Sequence, residues 1–167
     1  YKVDKITNKE GFTLGAILLF FIDETIVNAL PHHKTDLILR KVNLDRYDDR
    51  EIVTTNLIDS YYKIMEFVKK HLNDPFYLEG DIRISLRDKI FREAVANSLV
   101  HREYSSAYVA KMIIENSRVV FENANIPHSY GELKPSSFTP YPKNPNIAKV
   151  FREIGFADEL GSGVKNL

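Results

Sequence analysis

Between Leu57 and Leu72 the apolar residues Leu57, Tyr61, Ile64, Met65, Val68 and Leu72 recur at the spacing of one helical face. No other feature constrains the fold of this chain as tightly, because a helix with a single apolar stripe has to bury that stripe against a second layer. Lys63, Lys69 and Lys70 fall off the stripe and read as a solvated face. Asn73-Asp74-Pro75 ends the helix, since the residue before a proline is pushed out of the helical region.

A second helix is signalled by its start. Ser85, followed three residues on by Asp88, reads as a capping box and predicts a helix from about Leu86 to His101. At about 100° per residue, Glu93, Asn97 and His101 share the stripe of Leu86, Ile90 and Ala94. That pattern predicts three inward-facing polar groups. A buried carboxylate or carboxamide is costly unless paired, so each either bridges to backbone or to an arginine, or belongs to a ligand site.

Two strands, about Asp36 to Val42 and Glu51 to Thr55, are expected around the polar Asn43 to Arg50 connection. A short buried helix is expected over Thr13 to Phe21, ended by Asp23-Glu24, and Pro31 closes the segment after it. Phe76 to Ile84 is bounded like one strand. Ala107 to Ile114 and Arg118 to Glu122 read as a hairpin turning at Glu115-Asn116-Ser117. Five of the seven prolines fall between Asn123 and Asn146, which predicts a long irregular loop of the kind that often serves as a lid. A last short helix is expected over Asn146 to Ile154, stopped by Gly155. His32-His33 is adjacent rather than at helical ligand spacing, and reads as loop surface.

Composition closes off several classes. A chain of 167 residues, 44% hydrophobic, is long enough for one ordinary core. Its 23 basic and 23 acidic residues give no electrostatic reason for tight DNA binding by this chain itself. Cysteine is absent, which excludes disulfide scaffolds, thiolate zinc sites and cysteine catalysis. The longest apolar run, Leu14 to Ile22, is far short of the roughly 20 residues of a membrane helix, so a cytoplasmic protein is expected. The chain starts at Tyr1 and stops at Leu167 in an apparent helix start, which suggests a piece of a longer protein.

The string Glu93-x-x-x-Asn97-Ser98-Leu99 resembles the N box of the GHKL ATPases (gyrase, Hsp90, histidine kinases and mismatch-repair ATPases). With His101-Arg102-Glu103-Tyr104-Ser105 after it, the stretch is similar to the "REAL.NALVHRDYS" signature of the GHKL-type domain in bacterial RecG-related transcriptional regulators. Weaker matches accompany it: Gly11 to Phe20 resembles "LTLAGLLLFG", Lys143 to Ala148 resembles "RNP.IA", and Gly155 to Val164 resembles "LG..E..GTGI". The resemblance implies that Asn97 holds the magnesium of ATP and Glu93 activates water. It implies that Gly161 and Gly163 wrap the triphosphate, as glycines at a helix N-terminus can. His101 lies one turn beyond Asn97 and becomes a candidate phosphate contact.

The chain departs from the pattern after the second helix. An Asp there recognises adenine in the superfamily, and the regulators commonly carry "ENPGGLP"; this chain has Glu122-Asn123-Ala124-Asn125-Ile126-Pro127. Asn123 thus stands at the base-recognition position, where its carbonyl could accept one hydrogen bond. No Walker motif, nucleophile elbow or His-Glu-x-x-His pair occurs, so helicase, hydrolase and metalloprotease readings have no support.

The combined expectation is one α+β domain, a two-layer sandwich with a mixed, mainly antiparallel sheet covered on one face by the helices near 57–72, 86–101 and 146–154. Residues 1–56 form a lead-in of helix and strands, and 57–167 the core with the loop 123–146. Two functions follow. One is an ATP- and magnesium-binding regulatory domain, with slow hydrolysis, whose parent protein contacts DNA through other segments. The other is a non-enzymatic module of the same fold that has lost nucleotide and serves homodimerisation or signal sensing.

Overall fold

The structure is a computed structural model, and it describes residues 1–42, 45–126 and 142–157. Its centre is a four-stranded sheet of β3 (Thr35–Arg40), β4 (Asp49–Val53), β7 (Ala110–Glu115) and β8 (Val119–Glu122), in the order β4-β3-β7-β8. β3 runs parallel to β7, and the two outer pairs are antiparallel. This is the α+β architecture with a mixed, mainly antiparallel sheet that the sequence predicts. The N-terminal third is built into it, because β3 and β4 supply half of the sheet.

Register decides which sheet face is apolar. Leu37 pairs with Met112, and Met112 with Phe121, so these side chains share one face with Val53 and Ile114. Leu37, Val53, Met112 and Ile114 are buried completely or nearly so. The opposite face carries ion pairs between Arg50 and Asp36 at 2.7 Å and between Lys111 and Glu122 at 3.2 Å.

Three helices complete the core on the apolar side. α3 (Leu57–His71) contacts β3 and β4 and buries Leu57, Tyr61, Ile64, Met65 and Val68, the stripe its spacing announced. Asn56 caps its start, accepting from the Asp59 N–H at 2.9 Å. α4 (Leu86–Val100) packs along α3, and Ser85 caps it by accepting from the Asp88 N–H at 3.0 Å. α5 (Pro145–Glu153) starts with proline at its first turn, where a missing N–H costs nothing. It seats Phe151 in the core, and the following Phe156 stacks on Tyr61 of α3 with ring centroids 3.9 Å apart.

Smaller elements flank this core. β1 (Lys2–Val3) and β2 (Glu10–Gly11) form a minimal ladder. α1 (Leu14–Phe20) is the expected short helix and buries Leu18 and Leu19, whereas α2 (Asp23–Ala29) has no counterpart in the sequence reading. The segment expected as one strand from Phe76 to Ile84 is instead a hairpin, β5 (Phe76–Glu79) and β6 (Ile82–Ser85). Its turn places Gly80 at φ +63, a left-handed conformation that glycine adopts without steric cost. Most of the proline-rich loop lies outside the described residues. No helix among the described residues is long and apolar enough to cross a membrane.

Candidate functional site

α4 presents a different face from the one its sequence suggests. Its buried residues are Val95, Ala96, Leu99 and Val100, a stripe that packs toward α3 and the sheet. The polar stripe lies more than a quarter turn away from that face: Asn97 is exposed, Glu93 and His101 are half-buried, and Ile90 is 54% exposed. The inward orientation is therefore corrected. The physical reason is size, since four adjoining apolar residues outweigh a face whose apolar members are Leu86, Ile90 and Ala94.

The three stripe residues share a second property. Among the described residues the Glu93 carboxylate, the Asn97 carboxamide and the His101 ring make no hydrogen bond or ion pair. The arrangement in which each bridges to backbone or to an arginine is absent there. Partial burial lowers the His101 pKa below its ordinary value, so the ring is neutral near pH 7. Neutral imidazole, carboxylate and carboxamide stand one turn apart along one side of a helix, each with its lone pairs available.

Asn123 follows β8 and meets α4 from the sheet. Its Nδ2 donates to the Ser98 carbonyl at 2.6 Å. That bond fixes the amide's orientation, leaving Oδ1 as an acceptor without a partner among the described residues. Ser98 and Asn123 are thus brought together, and the bond holds the Asn123 carboxamide. Gly161 and Gly163 lie outside the described residues. Arg92 donates to the Gly155 carbonyl at 2.6 Å, which ties the turn after α5 to α4.

The residues after Asn97 in the signature mostly hold the fold together. Tyr104 is buried and its hydroxyl donates to the Leu99 carbonyl at 2.8 Å. Glu103 pairs with Lys143 at 2.8 Å, and Lys143 also donates to Asn125 Oδ1 at 3.0 Å. Asn144 Nδ2 donates to the carbonyls of Val100 and Arg102, both at 2.8 Å. The two distant strings, Arg102-Glu103-Tyr104 and Lys143-Asn144-Pro145, are partners across one junction.

His33 departs from the loop-surface expectation. It is 3% exposed, and its Nε2–H donates to the Thr55 carbonyl at 2.9 Å, leaving Nδ1 unpaired. His32 reaches the Tyr104 carbonyl at 3.1 Å. Among the described residues no group of three or more His, Asp or Glu could hold a metal ion. An Asn97-bound magnesium does not require one, because that ion takes few protein ligands and completes its shell with phosphate and water oxygens. The exposed, unpaired Asn97 fits such a role.

A groove of about 330 Å³ lies beside the N-terminal half of α4, lined by Leu86, Ile90 and Phe91 and by the β7–β8 turn. It is open and sits at the opposite end of β8 from Asn123. No family model matches this chain, and no curated protein matches it. Among solved structures it is similar to the DIP2311 protein of Corynebacterium diphtheriae, with a TM-score of 0.66 at 15% identity. The match covers 89% of this chain and 30% of that one. At that identity the likeness establishes the fold alone.

Proposed function

We propose that this chain is a nucleotide-binding regulatory domain of a larger bacterial transcriptional regulator, with ATP and magnesium as its ligands. The observation that carries the reading is the unpartnered stripe of Glu93, Asn97 and His101 on α4. Glu93 and His101 are half-buried without a protein partner among the described residues, and together with the exposed Asn97 they line one side of the helix, an arrangement that supports a ligand-facing role. ATP, when bound, supplies the phosphoanhydride and the anionic oxygens that complete the magnesium shell.

The protein's own residues then divide the work. Asn97 holds the cation through Oδ1, a hard oxygen donor. Glu93, one turn earlier, orients a water and takes its proton. His101 contacts phosphate as a neutral donor. Asn123, held by the Ser98 carbonyl, offers Oδ1 to the amino group of the base. Gly161 and Gly163 would wrap the triphosphate, as the resemblance implies. DNA contact, a cytoplasmic location and homodimerisation belong to this reading as properties of the parent protein.

A second reading keeps the fold and drops the ligand, leaving an interaction module. Asn125 favours it, because its side chain is tied to Lys143 where the regulators have a free glycine. Calorimetric titration of the intact parent protein with Mg-ATP separates the two. Binding in the micromolar range supports the nucleotide reading, and no heat at millimolar nucleotide retires it.

A further inference from the structure

The β5–β6 hairpin has an edge whose chemistry can be read from its turn. Glu79 stands opposite Ile82 across Gly80-Asp81, and Gly80 at φ +63 occupies the first of the two turn positions, as a two-residue hairpin loop requires. Such a loop is closed by a hydrogen-bonded pair, and bonded and open pairs then alternate along an antiparallel ladder. Glu79–Ile82 and Tyr77–Ile84 are therefore the bonded pairs. The N–H and C=O groups of Phe76 and Leu78 point the other way, out from the free edge of β5. Among the described residues neither makes a backbone hydrogen bond beyond the hairpin.

That edge is apolar as well as unpaired. Phe76 is 69%, Tyr77 44% and Leu78 48% exposed. Lysine, proline or a bulge within an edge strand blocks pairing with another chain, and β5 contains none of them. A two-stranded hairpin is also marginal by itself and gains from further strands.

We propose that β5 is the contact by which two copies of this chain associate, edge to edge and antiparallel, about a two-fold axis at Tyr77, in the strand order β6-β5-β5-β6. The register follows from the edge groups. An axis at Tyr77 sets Phe76 opposite Leu78 of the second copy, so that their outward N–H and C=O groups bond to one another on both sides of the axis, and an aromatic ring meets an aliphatic side chain. An axis at Leu78 would set Phe76 against the turn at Gly80 and leave its groups unmet. Charge does not oppose the contact, because Glu79 is paired with Lys89 at 2.9 Å within its own copy. Burial of roughly 100 Å² for each of Phe76, Tyr77 and Leu78 per copy totals less than the about 1,200 Å² of a standing complex, which is the size class of transient association. The dimer is therefore weak and concentration-dependent.

The proposal rests on the reading above only for homodimerisation. Glu93, Asn97, His101 and Asn123 lie off the hairpin, and the measurements are made without nucleotide, so failure of the contact and failure of ATP binding are told apart. Sedimentation velocity of the chain from about 10 to 500 µM should show monomer passing into dimer, as a contact of this size predicts. Phe76→Lys, a change at an exposed edge position, should keep the circular dichroism spectrum and abolish the dimer.

Cross-linking reports the register. The chain has no cysteine, so Tyr77→Cys introduces a single thiol. Across the two-fold the two thiols would stand on an open pair with Cα atoms about 4.5 Å apart, within disulfide range, whereas those of Ile82→Cys would stand roughly 20 Å apart on the outer strands. Ile82 is the more exposed residue, at 70%, so random collision favours the reverse order. Copper–phenanthroline oxidation should convert Tyr77→Cys to a disulfide dimer at least about tenfold faster than Ile82→Cys. A chain that stays monomeric at the highest concentration, a Phe76→Lys variant that dimerises like wild type, or a Tyr77→Cys variant no faster than Ile82→Cys overturns the proposal. Should Phe76→Lys unfold, the two cysteine variants carry the test.

Discussion

The Lys143 ammonium meets the Glu103 carboxylate at 2.8 Å, and the same ammonium reaches Asn125 Oδ1 and the Ile126 carbonyl. One cation therefore gathers the end of the signature after α4, the chain leaving β8 and the approach to α5. Both side chains of the pair are mostly buried, at 17% and 15% exposure, so solvent screens it less than a surface bridge. Lys143, with help from Ser105, holds the Glu103 carboxyl down at about 2. A depressed carboxylate pKa contributes stability that is complete above the unfolded value near 4.5 and is lost as pH falls toward 2. Wild type should therefore lose stability between about pH 4.5 and 2, and Glu103→Gln should flatten that part of the profile. At pH 7 the variant should melt about 2–4 °C lower, for a loss of about 1 kcal/mol.

Asn144 performs a different task at the same junction. Its Nδ2 serves the Val100 carbonyl, one of the orphan acceptors at the α4 C-terminus, together with the Arg102 carbonyl. Asn144→Ala removes both bonds and should cost about 1–3 kcal/mol. Urea unfolding should show a lower midpoint with an unchanged m-value. Asn144→Asp is the sharper control, because a carboxylate set against two carbonyls repels them and should do worse than alanine.

His33 provides a pH dependence of the opposite chemistry. Burial, foremost, lowers its pKa, and Arg102 adds to the effect, while the bond to the Thr55 carbonyl opposes it. The folded ring is neutral, and the unfolded ring titrates near 6.5. Below that pH the unfolded state binds the extra proton, so stability declines as pH falls, by at most about 1.4 kcal/mol per pH unit for one proton. In an NMR titration the His33 ring should stay in its Nε2–H form well below pH 6.5. His33 titrating like an exposed histidine would contradict the buried arrangement.

How far the sequence reveals this molecule depends on the range of the interaction. α3 is legible because its stripe and its Asn-Asp-Pro stop are both local. The β5–β6 hairpin is hidden because Phe76, Leu78 and Ile82 stay exposed, so no inside-outside alternation develops. The Gly80-Asp81 pair was the available turn signal. α4 is correct in extent and wrong in facing, since periodicity does not say which of two competing stripes meets α3. His33 and the Glu103–Lys143 and Asn144 contacts join residues far apart in the chain, and no spacing rule reports them. For the candidate site, Glu93, Asn97 and His101 share a stripe as read, but their lack of partners is visible only in three dimensions.

That lack of partners sharpens the test of the candidate roles. With no hydrogen bond to lose among the described residues, and with Asn97 exposed, Glu93→Ala and Asn97→Ala should each fold within about 0.5 kcal/mol of wild type in the absence of ligand. A larger loss in either would mean that the side chain serves the fold. The ligand-dependent behaviour should then separate them. Mg-ATP should raise the Tm of wild type and of Glu93→Ala alike, because a water-activating carboxylate contributes to turnover and not to affinity. Asn97→Ala should lose the shift, and replacing magnesium by a chelator should reproduce that loss in wild type. Phosphate release should vanish in Glu93→Ala at saturating nucleotide. Equal Tm shifts in all three proteins, or shifts in none, would remove both assigned roles and leave the interaction-module reading in possession of the fold.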